Sequence, residues 1–119
     1  MRRLGVAMVV IGLCAAMVPA RAAVNVVTTG TAAAAYGFTP PVVVLVTSAD
    51  ATYANLDSFA EHDVTSIGKR PNGTPWFWSD TIDAGETSLI RGLATTPNGE
   101  HVFECTVHPS MRGTAIVTG

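Results

Sequence analysis

Turn chemistry interrupts this chain before any segment grows into a helix of useful length. Ser48-Ala49-Asp50, Pro71-Asn72-Gly73, Asp83-Ala84-Gly85 and Pro97-Asn98-Gly99 punctuate it, and each cluster supplies residues that favour tight turns. Between them lie short runs that are β-branched or alternate in polarity. "PVVVLVTS" (41–48) begins at Pro40-Pro41, which cannot continue a helix. "ATYANL", "HDVTSI", "ETSLIRGL", "EHVFEC" and "GTAIVTG" follow in order. Short strands at this spacing predict an all-β antiparallel sandwich or barrel, built as a single domain. The "TAAAAYGF" stretch has too short an alanine run to decide between a short helix, a loop and an irregular strand.

The N-terminus reads differently. Met1-Arg2-Arg3 is basic, Leu4–Val18 is apolar, and Ala20-Arg21-Ala22 offers a small-x-small cleavage site. Residues 1–22 are therefore expected to be a signal peptide, and 23–119 the mature domain. The apolar run is short for a membrane span, and no later segment resembles one. Leu13 before Cys14 is too large for the usual lipid-attachment site.

Removing residues 1–22 from the 119 leaves 97, a chain that buries only roughly 60–70% of its unfolded surface. No disulfide can staple it, because Cys105 is then its only cysteine. An unpaired thiol in an exported protein calls for a role. Four of the seven basic residues remain against all nine acidic ones, a formal charge of about −5. Such a balance excludes nucleic acid and anionic membrane surfaces as partners.

Cys105 opens "CTVHPSM", with His108 and Met111 each three residues further on. On a strand ending at the thiol, His101, Phe103 and Cys105 share one face, and Phe103 marks that face as the core side. Pro109 cannot donate to a ladder, so the chain turns and brings His108 and Met111 back toward the thiol. A fourth partner has to come from elsewhere. His101 lies about 13 Å from Cys105 along the same strand, too far to share an ion. His62, at the start of "HDVTSI", can arrive on a neighbouring strand. Two imidazoles, a thiolate and a weak axial thioether make the donor set of a blue-copper centre. On the residues alone a zinc site, a thiol enzyme and a buried structural thiol remain open.

Over nearly its whole mature length the chain resembles a small cupredoxin of the plastocyanin and amicyanin kind. "YGFTPPVVVL" resembles that family's early strand, "NLDSFAEHDVTS" its Asn-x-Asp…His-x-Val element, and "FWSDTIDAGET" its middle segment. "GEHVFECTVHPSMRGTAIV" resembles the closing strands and ligand loop, with the short amicyanin-like spacing. The resemblance implies a Greek-key β-barrel and one type 1 copper held by His62, Cys105, His108 and Met111. It further implies an exported, periplasmic or extracellular monomer, without enzymatic activity, that passes single electrons between redox partner proteins. A copper storage or delivery module is the rival reading.

Two positions depart from that pattern. His101 stands where the family usually has tyrosine and is expected to be structural. Asp63 stands where asparagine is common, and its charge is expected to lower the reduction potential. Trp76-Phe77-Trp78 cannot all face inward on a strand, so one ring is expected nearer the surface. Gly113 is expected to let the last strand leave the ligand loop.

Overall fold

The computed structural model describes residues 25–30 and 37–119. The expected signal peptide, 1–22, and most of "TAAAAYGF" lie outside the described residues. Eight strands follow one another: β1 Val26–Thr28, β2 Val42–Val46, β3 Ala51–Ala54, β4 Thr65–Ser66, β5 Trp78–Ser79, β6 Thr87–Arg91, β7 Gly99–Glu104 and β8 Arg112–Thr118. A single 3-10 turn, Leu93–Thr95, is the one helical element among the described residues. No helix among them is long and apolar enough to cross a membrane.

The strands form one sheet in the order β1-β3-β6-β5-β4-β7-β8-β2. Five neighbouring pairs are antiparallel, as the turn spacing predicts. The pairs β1–β3 and β2–β8 are parallel. The sheet is therefore mixed, because β1 and β2 pair with strands distant in sequence rather than with each other through a hairpin.

Asn25 draws the two ends of the sheet together into a nearly closed barrel. Its N–H donates to the Val44 carbonyl at 2.9 Å. Its side-chain amide donates to the carbonyls of Val46, Ala49 and Asp50 at 3.1, 3.2 and 3.1 Å. The backbone at Asn25 is left-handed, φ 62°, a conformation asparagine tolerates better than most residues.

Alternation along the strands fills the barrel. Val43 and Leu45 of β2, Ala51 and Tyr53 of β3, Phe103 of β7, and Ala115 and Val117 of β8 are buried. Phe103 lies at the centre, edge-on to Phe38 at 4.8 Å and to Phe77 at 6.2 Å between centroids. Gly113 pairs with Phe103 across β7–β8. A Cβ at Gly113 would lie 2.5 Å from the Phe103 ring, so the glycine makes room for an aromatic side chain. That need for space, rather than the departure of the strand from the ligand loop, accounts for Gly113.

Among the three consecutive aromatics Phe77 is buried, while Trp76 and Trp78 are half-buried. Trp76 lies under Arg70, whose guanidinium carbon is 4.9 Å from the ring centroid. Arg70 Nη2 also donates to the carbonyls of Trp76 and Gly92, at 2.7 and 2.9 Å. Gly92 itself has φ 85°, and a Cβ there would lie 2.4 Å from the Trp76 carbonyl oxygen. Gly92→Ala therefore combines a disfavoured backbone with a clash against main chain. We expect it to lower unfolding free energy by about 2 kcal/mol, read as a lower urea midpoint with an unchanged slope.

Candidate metal centre

β7 delivers Cys105 to one pole of the barrel, and the loop from there to β8 closes on itself. The Cys105 N–H donates to the Met111 carbonyl at 3.2 Å, and the Met111 N–H donates to the His108 carbonyl at 2.8 Å. These two bonds fold His108 back over the thiol, the turn that Pro109 demands. His62 arrives from the segment before β4. Its backbone exchanges hydrogen bonds with Ile82 in an isolated bridge, 3.1 and 3.0 Å. The expected strand "HDVTSI" is thus reduced to Thr65–Ser66 plus this bridge, because the Val64 N–H bonds the Ser79 hydroxyl at 2.9 Å.

His62, Cys105 and His108 come together, their candidate donor atoms within 4.8 Å of one another. His62 and Cys105 are fully buried, and His108 is half-buried. Cys105 Sγ lies 3.7 Å from His62 Nδ1 and 3.9 Å from His108 Nδ1, and the two nitrogens are 3.2 Å apart. A circle through three points with those separations has a radius of about 2.1 Å, close to the bond length from a first-row metal ion to nitrogen. The cluster would therefore have room for one ion bonded to all three donors. Met111 is fully buried in the same apolar core, and its backbone closes the loop beneath the cluster.

Burial pushes the Cys105 thiol above its ordinary pKa, against the opposing pull of the backbone N–H groups of Asp63, His108 and Val107. A thiol displaced in that direction is a poor free nucleophile, which weighs against the thiol-enzyme alternative.

His101 takes no part in the cluster. Its Nε2 donates to the Pro97 carbonyl at 2.7 Å, and its ring meets Trp76 and Phe77 edge-on. The imidazole fills a structural corner.

Asp63, also buried, ties the two ligand-bearing segments together. Its carboxylate accepts from the Thr106 N–H at 3.0 Å and from the Thr106 hydroxyl. It also accepts from the hydroxyls of Thr65 at 2.9 Å and Thr81 at 3.2 Å. Those donors explain how a carboxylate serves at a position where an amide is commonplace. Sequence reading identified the charge there but not the hydroxyl cluster, which forms only when three separate segments converge.

Solved structures share this architecture. A copper-containing nitrite reductase from Thermus scotoductus aligns with a TM-score of 0.59 at 24% identity, over 79% of this chain and 22% of that one. The chain thus spans only about a fifth of the length of that reductase. A methionine-to-alanine variant of amicyanin in its Cu(I) form aligns with a TM-score of 0.60 at 19% identity, over 81% and 83% of the two chains. A purple cupredoxin from Nitrosopumilus maritimus aligns at 0.58 and 20% identity, over 78% and 98%. This is the cupredoxin fold. No protein-family model matches the sequence, and no curated protein matches it significantly. Within the cupredoxin barrel the three clustered donors occupy the pole where β7 ends and β8 begins.

Proposed function

We propose that this cupredoxin is an exported one-electron carrier that binds a single copper through His62, Cys105, His108 and Met111. The observation that carries the reading is the triangle of two imidazole nitrogens and one buried sulfur, sized for a single ion. Zinc sites of structural type close with four strong nitrogen or sulfur donors, whereas the fourth candidate here is a thioether. Copper in such a site supplies a one-electron couple with little change of geometry between its two states.

The chain's own residues do the rest. Cys105 contributes the thiolate and is shielded from water by the barrel. His62 is anchored by the Ile82 bridge, so the donor set is held from two sides. His108, the more exposed imidazole, is the point where an electron enters or leaves. Val107 beside it is exposed, as are Leu56 and Phe59 on the loop before His62. Exposed apolar side chains of this kind suit a redox partner protein that offers apolar contact.

Addition of Cu(II) to the purified domain tests the proposal. An intense visible band from thiolate-to-copper charge transfer is expected, lost on reduction and restored on oxidation over many cycles. A colourless complex rejects it. A coloured complex that surrenders copper to an acceptor without exchanging electrons replaces it with copper delivery.

The Asp63 carboxylate favours the more highly charged Cu(II). Asp63→Asn keeps an acceptor for Thr106 and can donate to the threonine hydroxyls, so the loops stay tied while the charge goes. A higher reduction potential is expected, measured by voltammetry; an unchanged or lower one rejects the electrostatic role.

A further inference from the structure

Beside the ligand loop lies a cavity of about 300 Å³ that none of the clustered donors lines. Pro75 and Trp78 give it apolar surface, and Asp63 and a set of hydroxyl side chains give it polar surface. We infer that this cavity receives a guanidinium group, the head of an arginine side chain on a partner protein. The cavity is separate from the metal ligands, so the inference does not depend on the copper-carrier reading.

Every hydroxyl proton around the cavity is already committed. Thr65 and Thr81 donate to the Asp63 carboxylate at 2.9 and 3.2 Å, and Thr106 donates to it as well. Thr74 donates to Asn72 Oδ1 at 2.7 Å, and Ser79 donates to the Asp80 carbonyl at 2.9 Å. A hydroxyl has one proton to give and keeps its lone pairs. These side chains can therefore only accept from a guest, and a guest rich in N–H donors matches them. Donation to an anion also polarises each threonine hydroxyl, which makes its oxygen a stronger acceptor.

The carboxylate behind the hydroxyls selects for charge. Asp63 is buried, and among the described residues the arginine ion pairs go to Asp80 and Glu104 instead. Arg91, beside Trp78 across β5–β6, is the partner of Asp80 at 2.7 Å. Hydrogen bonds alone offset the burial of the Asp63 charge, so a cation in the cavity is favoured without bonding the carboxylate directly. Trp78 selects for shape. A planar guanidinium stacks on an indole face while its edge donates to oxygens, and a compact ammonium does this less well. The chain already contains one such arrangement. Arg70 lies 4.9 Å over Trp76 while it donates to the carbonyls of Pro75, Trp76 and Gly92. The cavity volume is at the small end for ligand sites, enough for a guanidinium and its methylene stem. Free arginine would bring a carboxylate that Asp63 repels, whereas an arginine within a polypeptide brings none. Thr106 directly follows Cys105, so a protein held here lies alongside the ligand loop.

Titration of the purified protein, free of Cu(II), with methylguanidinium tests the inference by nitrogen-resolved NMR. Saturable shifts of the Trp78 indole and Thr106 amide signals are expected, with none from the neutral isostere methylurea at the same concentration. N-acetyl-arginine amide is expected to bind at the same signals, and free arginine about fivefold more weakly. Trp78→Leu is expected to weaken methylguanidinium binding about fivefold. Asp63→Asn removes the charge and gives the threonine hydroxyls an amide to accept from, so the preference over methylurea is expected to vanish. Equal shifts with methylurea, or shifts that never saturate, overturn the inference. Undiminished binding in either folded variant does the same, and if one variant does not fold the other decides. Free arginine binding as tightly as the amide overturns the assignment to a protein partner. A protein that stays colourless with copper yet passes this titration loses the carrier reading and keeps the guanidinium site.

Discussion

Replacing Cys105 with serine is expected to give a folded protein that no longer colours with copper. The side chain is completely buried and lies between two imidazole nitrogens at 3.7 and 3.9 Å. Serine is nearly isosteric, and a hydroxyl can bond to either imidazole, so the barrel keeps its packing. What disappears is the soft, covalent donor. An alcohol oxygen stays protonated where a thiol ionises, and it has no low-energy charge transfer to copper. Loss of the visible band with an unchanged far-ultraviolet dichroism spectrum is the expected pair of results. Retention of an intense band in the serine variant would mean that another sulfur carries the site. Weakly bound copper in the variant is compatible with the two imidazoles acting alone.

Phe103→Ala should destabilise the domain by about 3–5 kcal/mol, the usual cost of emptying an aromatic site in a core. Every side of this ring is in contact. Phe38 and Phe77 meet it edge-on, Gly113 lies under it with no room for a Cβ, and Ser66 faces it across β4–β7. The neighbours are rigid strands that cannot collapse into the space. For a domain of this size each kcal/mol moves the midpoint by about 4–8 °C, so a drop of more than about 10 °C is expected in the metal-free protein. Phe103 stands two residues before Cys105 on the same face of β7, and loosening it also frees the thiol end of that strand. A shifted charge-transfer band should accompany the lower midpoint. A fall of under about 5 °C would show that the core relaxes around the gap.

Much of the barrel was legible from local pattern. Val42–Val46, Ala51–Ala54 and Thr87–Arg91 lie within runs marked out by β-branching and turn residues, and Gly99–Glu104 and Arg112–Thr118 each begin one residue before such a run. Their burial alternates as period two requires. The strands that escaped notice, Val26–Thr28 and Trp78–Ser79, are too short to show a period. Trp78–Ser79 is a strand because Thr65 and Arg91 pair with Trp78 on either side, a fact of tertiary placement. The parallel pairings of β1 and β2 were equally hidden, since nothing local distinguishes a parallel strand from an antiparallel one.

The donor cluster was more legible than its frame. Cys105 and His108 lie three residues apart, and Pro109 announces the turn between them and Met111. His62 had to be chosen among distant histidines, and the fold brings it to the thiol. Asp57, by contrast, carried only a motif position. Its 2.7 Å contact with His62 Nε2 lies beside carbonyls of Ala60 and Ile82 that the Asn55 amide already engages, and that allocation exists only in the closed barrel.

The seam stapled by Asn25 sits at the end of β2 occupied by Val46 and the following turn. Thr118 pairs with Val46 there, whereas β8 starts beside Met111 at the opposite pole, roughly 20 Å away along the strand. Asn25 and the end of β8 therefore lie together, on the side turned away from His108. An affinity tag, a fluorescent label or a surface tether joined at the end of β8 would leave the imidazole face clear, which allows the protein to be immobilised for electrochemistry in one defined orientation.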